Sequence, residues 1–166
     1  LGFLYVWSYN AFPLIVIVVF LYLVAHLLTK RKLVWTPLVY ALVGVVLGLV
    51  INPYFPENLL FIYRHITPKL FDMAAVPVGN EWSPYRTATL LENSGGALLI
   101  FASGIVALGL SSQKMGTATA TSLFLTLTFS FMLFESRRFI EYAPPFMLIF
   151  AAFAWQPVLE KNRQNV

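Results

Sequence analysis

The chain reads as an all-α polytopic transmembrane helix bundle of about five spans, in which an outer-face segment of short interfacial helices sits between the spans. Three observations predict this. Of 166 residues, 59% are hydrophobic and 11% charged, against roughly 25% charged in soluble domains. The mean hydropathy is +0.76. The few charges gather in short clusters that punctuate apolar runs of about the length a bilayer crossing needs.

Leu1–Asn10 carries Tyr5, Trp7 and Tyr9. Beside a span, such aromatics mark the headgroup belt, where amphipathic rings sit at the membrane–water boundary. No basic n-region precedes the first apolar run, so it is not read as a signal peptide. Leu1 is not an initiator methionine, and the chain is expected to be a piece of a larger protein. The first span is Ala11–Thr29, with Pro13 suited to a first helical turn. His26, near its end, is expected to be an interfacial histidine satisfied by backbone or water.

Thr29-Lys30-Arg31-Lys32 is a basic turn between two apolar runs, which marks the inner side of the membrane. The second span, Leu33–Ile51, contains Gly44 and Gly48, a small-xxx-small spacing that permits close approach of another backbone.

Residues 52–89 form the outer segment. Asn52-Pro53 ends the second span, because proline cannot continue the hydrogen-bond ladder. Leu59, Ile62, Tyr63 and Ile66 recur at helical spacing, as in a short helix lying in the interface. Thr67-Pro68 reads as a second helix start. The third span, 90–110, has a candidate break at Ser94-Gly95-Gly96. The fourth is 117–134, whose threonines can bond the carbonyls of the preceding turn. The fifth is 144–159, opened by Pro144-Pro145. On this topology the inner segments hold Lys30, Arg31, Lys32, Lys114, Lys161 and Arg163 against Glu160 alone. The outer segments hold Arg64, Lys69, Arg86, Arg137 and Arg138 against Glu57, Asp72, Glu81, Glu92, Glu135 and Glu141. The basic turn at Lys30–Lys32 decides the orientation.

The spans hold almost no ionisable side chain, which lowers the prior for an ion-coupled transporter, since intramembrane charges commonly mark a transport path. Cysteine is absent, which excludes disulfides and thiolate chemistry. The two histidines fall on opposite expected sides and no metal-binding spacing is visible, so no metal is expected. No cofactor is evident, and no nucleic-acid partner is expected. The outer face therefore holds the candidates. Glu57, His65, Asp72, Glu81 and Glu141 are the candidate general bases or hydroxyl ligands. Arg64, Arg137 and Arg138 can hold a phosphate. Trp82, Tyr85 and Tyr142 can stack on a sugar. Against these roles stand plainer ones: a loop acid is commonly only solvated and an interface aromatic only an anchor. At the second outer patch, Glu135 with Arg138 and Arg137 with Glu141 have the spacing of local helical ion pairs.

Three stretches carry a resemblance. Asn52-Pro53-Tyr54-Phe55-Pro56-Glu57-Asn58-Leu59, Glu81-Trp82-Ser83-Pro84-Tyr85 and Arg137-Arg138-Phe139-Ile140-Glu141-Tyr142-Ala143-Pro144-Pro145-Phe146 resemble segments of large bacterial polytopic membrane proteins. Those are similar to the GT-C class of glycosyltransferases, which includes protein mannosyltransferases and oligosaccharyltransferases. The resemblance covers 52–146. It implies sugar transfer from a polyprenyl-phosphate donor on the outer face of the bacterial plasma membrane, with membrane lipid as the surrounding partner. The acidic pair that the class carries in its first outer loop has no counterpart here, so the catalytic base is expected upstream of Leu1. The rival readings are a non-enzymatic carrier or transporter component and a structural membrane subunit.

Overall fold

A computed structural model describes residues 1–9, 11–71, 79–111 and 113–164, with the backbone alone at 65–71, 162 and 164. The described chain is helical and holds no strand. Its α-helices are α1 (Gly2–Ser8), α2 (Pro13–Lys30), α3 (Thr36–Val50), α4 (Glu57–Phe71), α5 (Thr87–Leu110), α6 (Thr117–Glu135) and α7 (Ala143–Gln164). Two short 3₁₀ turns, Asn80–Trp82 and Arg137–Glu141, precede α5 and α7.

Three helices are long and apolar enough to cross a membrane: α2, α5 and α6. The apolar α3 has 15 residues, and α7 carries Pro157, Lys161 and Arg163 in its second half. Many of the apolar side chains on these helices are uncovered by protein. Leu99 on α5 is 74% exposed and Phe131 on α6 is 67% exposed, as a lipid-facing surface allows.

The contacts divide the chain into two compact units, Leu1–Val24 with Lys32–Gly79, and Ala25–Arg31 with Asn80–Val166. In the first unit α1 packs along α3. The glycines of α3 explain how. A Cβ on Gly48 would lie 2.9 Å from the Phe3 carbonyl oxygen and 2.9 Å from the Val6 Cβ, and one on Gly44 would lie 3.2 Å from the Phe3 nitrogen. Only glycine lets the two backbones come this close. Trp7 then donates from Nε1 to the Gly48 carbonyl at 2.9 Å. The rings of α1 pair one turn apart, Phe3 with Trp7 and Tyr5 with Tyr9. Burial, with a smaller contribution from Tyr9, raises the Tyr5 pKa above its ordinary value.

In the second unit α7 packs against both α5 and α6. Ala107, Phe150 and Ala154 form a buried centre, with Phe101, Leu108, Leu123 and Trp155 around it. Gly104 makes the α5–α7 contact possible: a Cβ there would meet the Phe150 ring at 2.8 Å and the Ala151 Cα at 3.0 Å. Across the α6–α7 contact, Phe129 stacks on Phe146 at 5.2 Å and on Tyr142 at 5.3 Å. The last turn of α2 belongs to this unit. Thr29 and Thr117 share a hydroxyl–hydroxyl bond of 2.7 Å.

Two expected interruptions do not occur. Helix α5 runs unbroken through Ser94-Gly95-Gly96. Each glycine costs about 1 kcal/mol of helix propensity against alanine, but an apolar surround penalises an opened backbone more. Helix α4 likewise continues through Thr67-Pro68 to Phe71. A proline removes one ladder bond, and here the helix carries on past it instead of restarting. On α6, Thr121 and Ser122 bond back to the carbonyls of Thr117 and Thr119, whereas the buried Thr126 hydroxyl has no partner among the described residues.

Candidate functional site

The sequence-predicted residues of the second unit meet where the chain enters α5 and where it passes from α6 to α7. Ser136 organises the junction. It ends α6 in an extended conformation and caps the following 3₁₀ turn. Its hydroxyl donates to the Glu81 carbonyl at 3.0 Å and accepts from the Arg138 backbone N–H at 3.3 Å. The next residue continues the seam. The Arg137 backbone N–H donates to the Ser83 carbonyl at 3.2 Å. Its side-chain Nε donates to the Pro84 carbonyl at 3.2 Å. The loop before α5 has carbonyls that no helix or sheet ladder satisfies, and this turn supplies donors to three of them.

Electrostatics and aromatic packing complete the arrangement. Arg138 Nη1 lies 3.3 Å from Glu81 Oε2. The Arg137 guanidinium carbon sits over the Tyr85 ring, 5.3 Å from its centroid. Trp82 meets Phe139 edge-on, with centroids 6.5 Å apart. Glu81, Trp82, Tyr85, Arg137, Arg138 and Tyr142 are thus gathered on one patch, with the exposed Glu141 at the end of the turn.

Several expectations change here. Among the described residues the ion pair is the long-range one between Arg138 and Glu81 and the local Glu135–Arg138 spacing forms none, because α6 stops at Glu135 and Arg137–Glu141 is a tighter 3₁₀ turn. Tyr142 stacks on Phe129, and the Arg137 guanidinium lies over Tyr85. Pro144 and Pro145 lie in the first turn of α7. Neither has a backbone N–H. Ser136 was not among the sequence candidates. A serine directly before a helical turn is an N-cap signal, and Glu135-Ser136-Arg137 carried it.

Glu57 and Arg64 belong to the first unit, on α4, and both are exposed. The side chain of His65 and all of Asp72 lie outside the described residues. Among the described residues no three His, Cys, Asp or Glu side chains gather as a metal site needs.

The first unit holds a second candidate, a pocket of about 450 Å³. Its wall includes Trp7, Tyr54 and Phe61 together with Asn52, Glu57 and Asn58. The Asn58 amide is oriented by its Nδ2 bond to the Leu49 carbonyl at 2.9 Å. Its Oδ1 is buried and accepts no hydrogen bond among the described residues. Asn52 Oδ1 accepts the Tyr54 N–H at 3.0 Å, which closes the turn between α3 and α4.

No protein-family model, no curated protein and no solved structure matches this chain. Fold and composition define the class: among the described residues the chain is all-helical, with three helices whose length and apolar composition are those of membrane spans.

Proposed function

We propose that this chain is part of a multi-pass bacterial membrane glycosyltransferase similar to the GT-C class, which moves a sugar from a polyprenyl-phosphate donor on the outer face, with the turn at Arg137 holding the donor's phosphate. One observation carries the reading. Arg137 is fixed by Nε on the Pro84 carbonyl and by the Tyr85 ring, while its two terminal nitrogens make no hydrogen bond among the described residues. A guanidinium held in this way offers a planar pair of donors matched to phosphate oxygens. The turn follows α6, a helix apolar enough to span, and on the five-span topology it sits at headgroup depth, where a lipid-linked phosphate lies. The five-span topology assigns its remaining two crossings to α7 and to α3 with its flanking apolar residues 33–35 and 51. Trp82, Tyr85 and Tyr142, gathered beside the turn, are the aromatics on which a sugar would stack. Glu81 is already engaged with Arg138, so the base that activates the acceptor is sought elsewhere in the whole protein.

The test is lipid retention by the purified chain in nanodiscs, read by native mass spectrometry. Polyprenyl-phosphate-linked hexose should be retained over phosphatidylglycerol. Arg137→Lys keeps the charge but loses the paired geometry, and should weaken retention about tenfold with helicity unchanged. Equal retention of phosphatidylglycerol by the unaltered protein would overturn the proposal.

A further inference from the structure

The pocket between α1 and the start of α4 is lined by groups that the glycosyltransferase reading does not use. The indole N–H of Trp7 is committed to the Gly48 carbonyl, and Asn58 Nδ2 to the Leu49 carbonyl. Asn52 Oδ1 is taken by the Tyr54 N–H, which leaves the Asn52 Nδ2 and the Tyr54 hydroxyl as donors beside two acceptors. Asn58 Oδ1 is buried with no donor among the described residues, and the exposed Glu57 brings a carboxylate to the same wall. A buried acceptor without a partner forfeits its hydration, and a ligand donor arriving beside it restores the bond. The remainder of the surface is apolar and aromatic, with Trp7, Tyr54 and Phe61 on one pocket. Aromatic faces attract cations and repel anions.

We infer that this pocket binds the primary ammonium headgroup of a lipid, with Glu57 and Asn58 accepting its N–H groups and Trp7, Tyr54 and Phe61 enclosing its methylenes. Each part of the wall selects. The carboxylate repels an anionic headgroup. The Asn58 acceptor favours an ammonium that has N–H donors over a quaternary one that has none. The volume of about 450 Å³ lies within the usual range of small-molecule sites, roughly 300–1,000 Å³. A free long-chain amine has the same headgroup chemistry, and the experiment separates the two sources. This inference is independent of the phosphate site, since every wall residue lies in the first unit.

The full chain is placed in nanodiscs of equal parts phosphatidylethanolamine, phosphatidylcholine and phosphatidylglycerol, and the retained lipid is identified by native mass spectrometry. Phosphatidylethanolamine is expected in at least about threefold excess over each of the others. Glu57→Gln and Tyr54→Ala both alter exposed side chains and should leave the fold intact while lowering that excess. Dodecylamine added to the preformed discs in equimolar amount tests the source: phosphatidylethanolamine still retained in excess marks the lipid, and its replacement by dodecylamine would overturn the lipid assignment in favour of a free amine. Equal retention of phosphatidylcholine or phosphatidylglycerol, or an excess unchanged in the double variant, would overturn the assignment. Failure of polyprenyl-phosphate retention in the separate assay leaves this outcome untouched.

Discussion

Arg138 reaches across 57 residues of sequence to Glu81, with Nη1 3.3 Å from Oε2, and the backbone of the same glutamate is held by the Ser136 hydroxyl. The two contacts differ in weight. The ion pair is partly open to solvent, with side chains 33% and 53% exposed, and such pairs contribute about 0–1 kcal/mol. Ser136 is 5% exposed, and deleting its hydroxyl removes two hydrogen bonds, to the Glu81 carbonyl and from the Arg138 N–H, each worth about 0.5–1.5 kcal/mol. Ser136→Ala should therefore lower stability more than Glu81→Gln does. Thermal unfolding of both variants in detergent checks the order, and a larger loss in Glu81→Gln would refute it.

The glycines separate by what surrounds them. Gly104→Ala forces a methyl against the Phe150 ring and the Ala151 backbone, and overpacking of this kind costs about 1–3 kcal/mol. Gly48→Ala should behave alike against α1. Gly96 lies in α5, and a methyl added there would meet nothing within 4 Å, so Gly96→Ala should gain about 0.5–1 kcal/mol from helix propensity. Midpoints of unfolding should fall for the first two and rise for the third.

Arg31 has a φ of 53°, the left-handed region. Its N–H donates to the Leu27 carbonyl at 2.8 Å, which is the bond of a helix end closed by a left-handed residue. Glycine adopts this conformation without the side-chain penalty. Arg31→Gly should stabilise the end of α2 by about 0.5–1 kcal/mol, seen as a higher unfolding midpoint. Arg31→Ala, which keeps the strain, should not reproduce the gain.

The proposed multi-pass arrangement predicts opposite accessibility for the two ends of α5 and of α6. The chain has no native cysteine, so single cysteines report cleanly. Arg86→Cys and Glu141→Cys replace exposed residues before α5 and after α6, and Gln113→Cys replaces one between these helices. An impermeant thiol reagent applied to one side of sealed vesicles should modify the first two and spare the third. Modification of all three from one side would exclude two crossings.

Composition and periodicity alone determined the helical class and placed the apolar runs. The observed α2, α3, α5, α6 and α7 fall on the expected apolar runs, with ends shifted by a few residues. These features follow from local chemistry: an apolar run needs its backbone bonded within itself, and prolines and charge clusters mark where it stops. Tertiary structure decided the rest. The spacing of Gly44 and Gly48 announced a close contact without its partner, which is α1. The reading of Ser94-Gly95-Gly96 as a break gave way because the hydrogen-bond ladder outweighs weak propensity. Glu81 and Arg138 were separate candidates in sequence, and no local spacing pairs them. Their meeting depends on Ser136 and Arg137 satisfying the carbonyls of a loop more than fifty residues away. Long-range pairing of polar groups is set by which backbone atoms are left without a partner once the helices have packed, and that is a property of the folded chain.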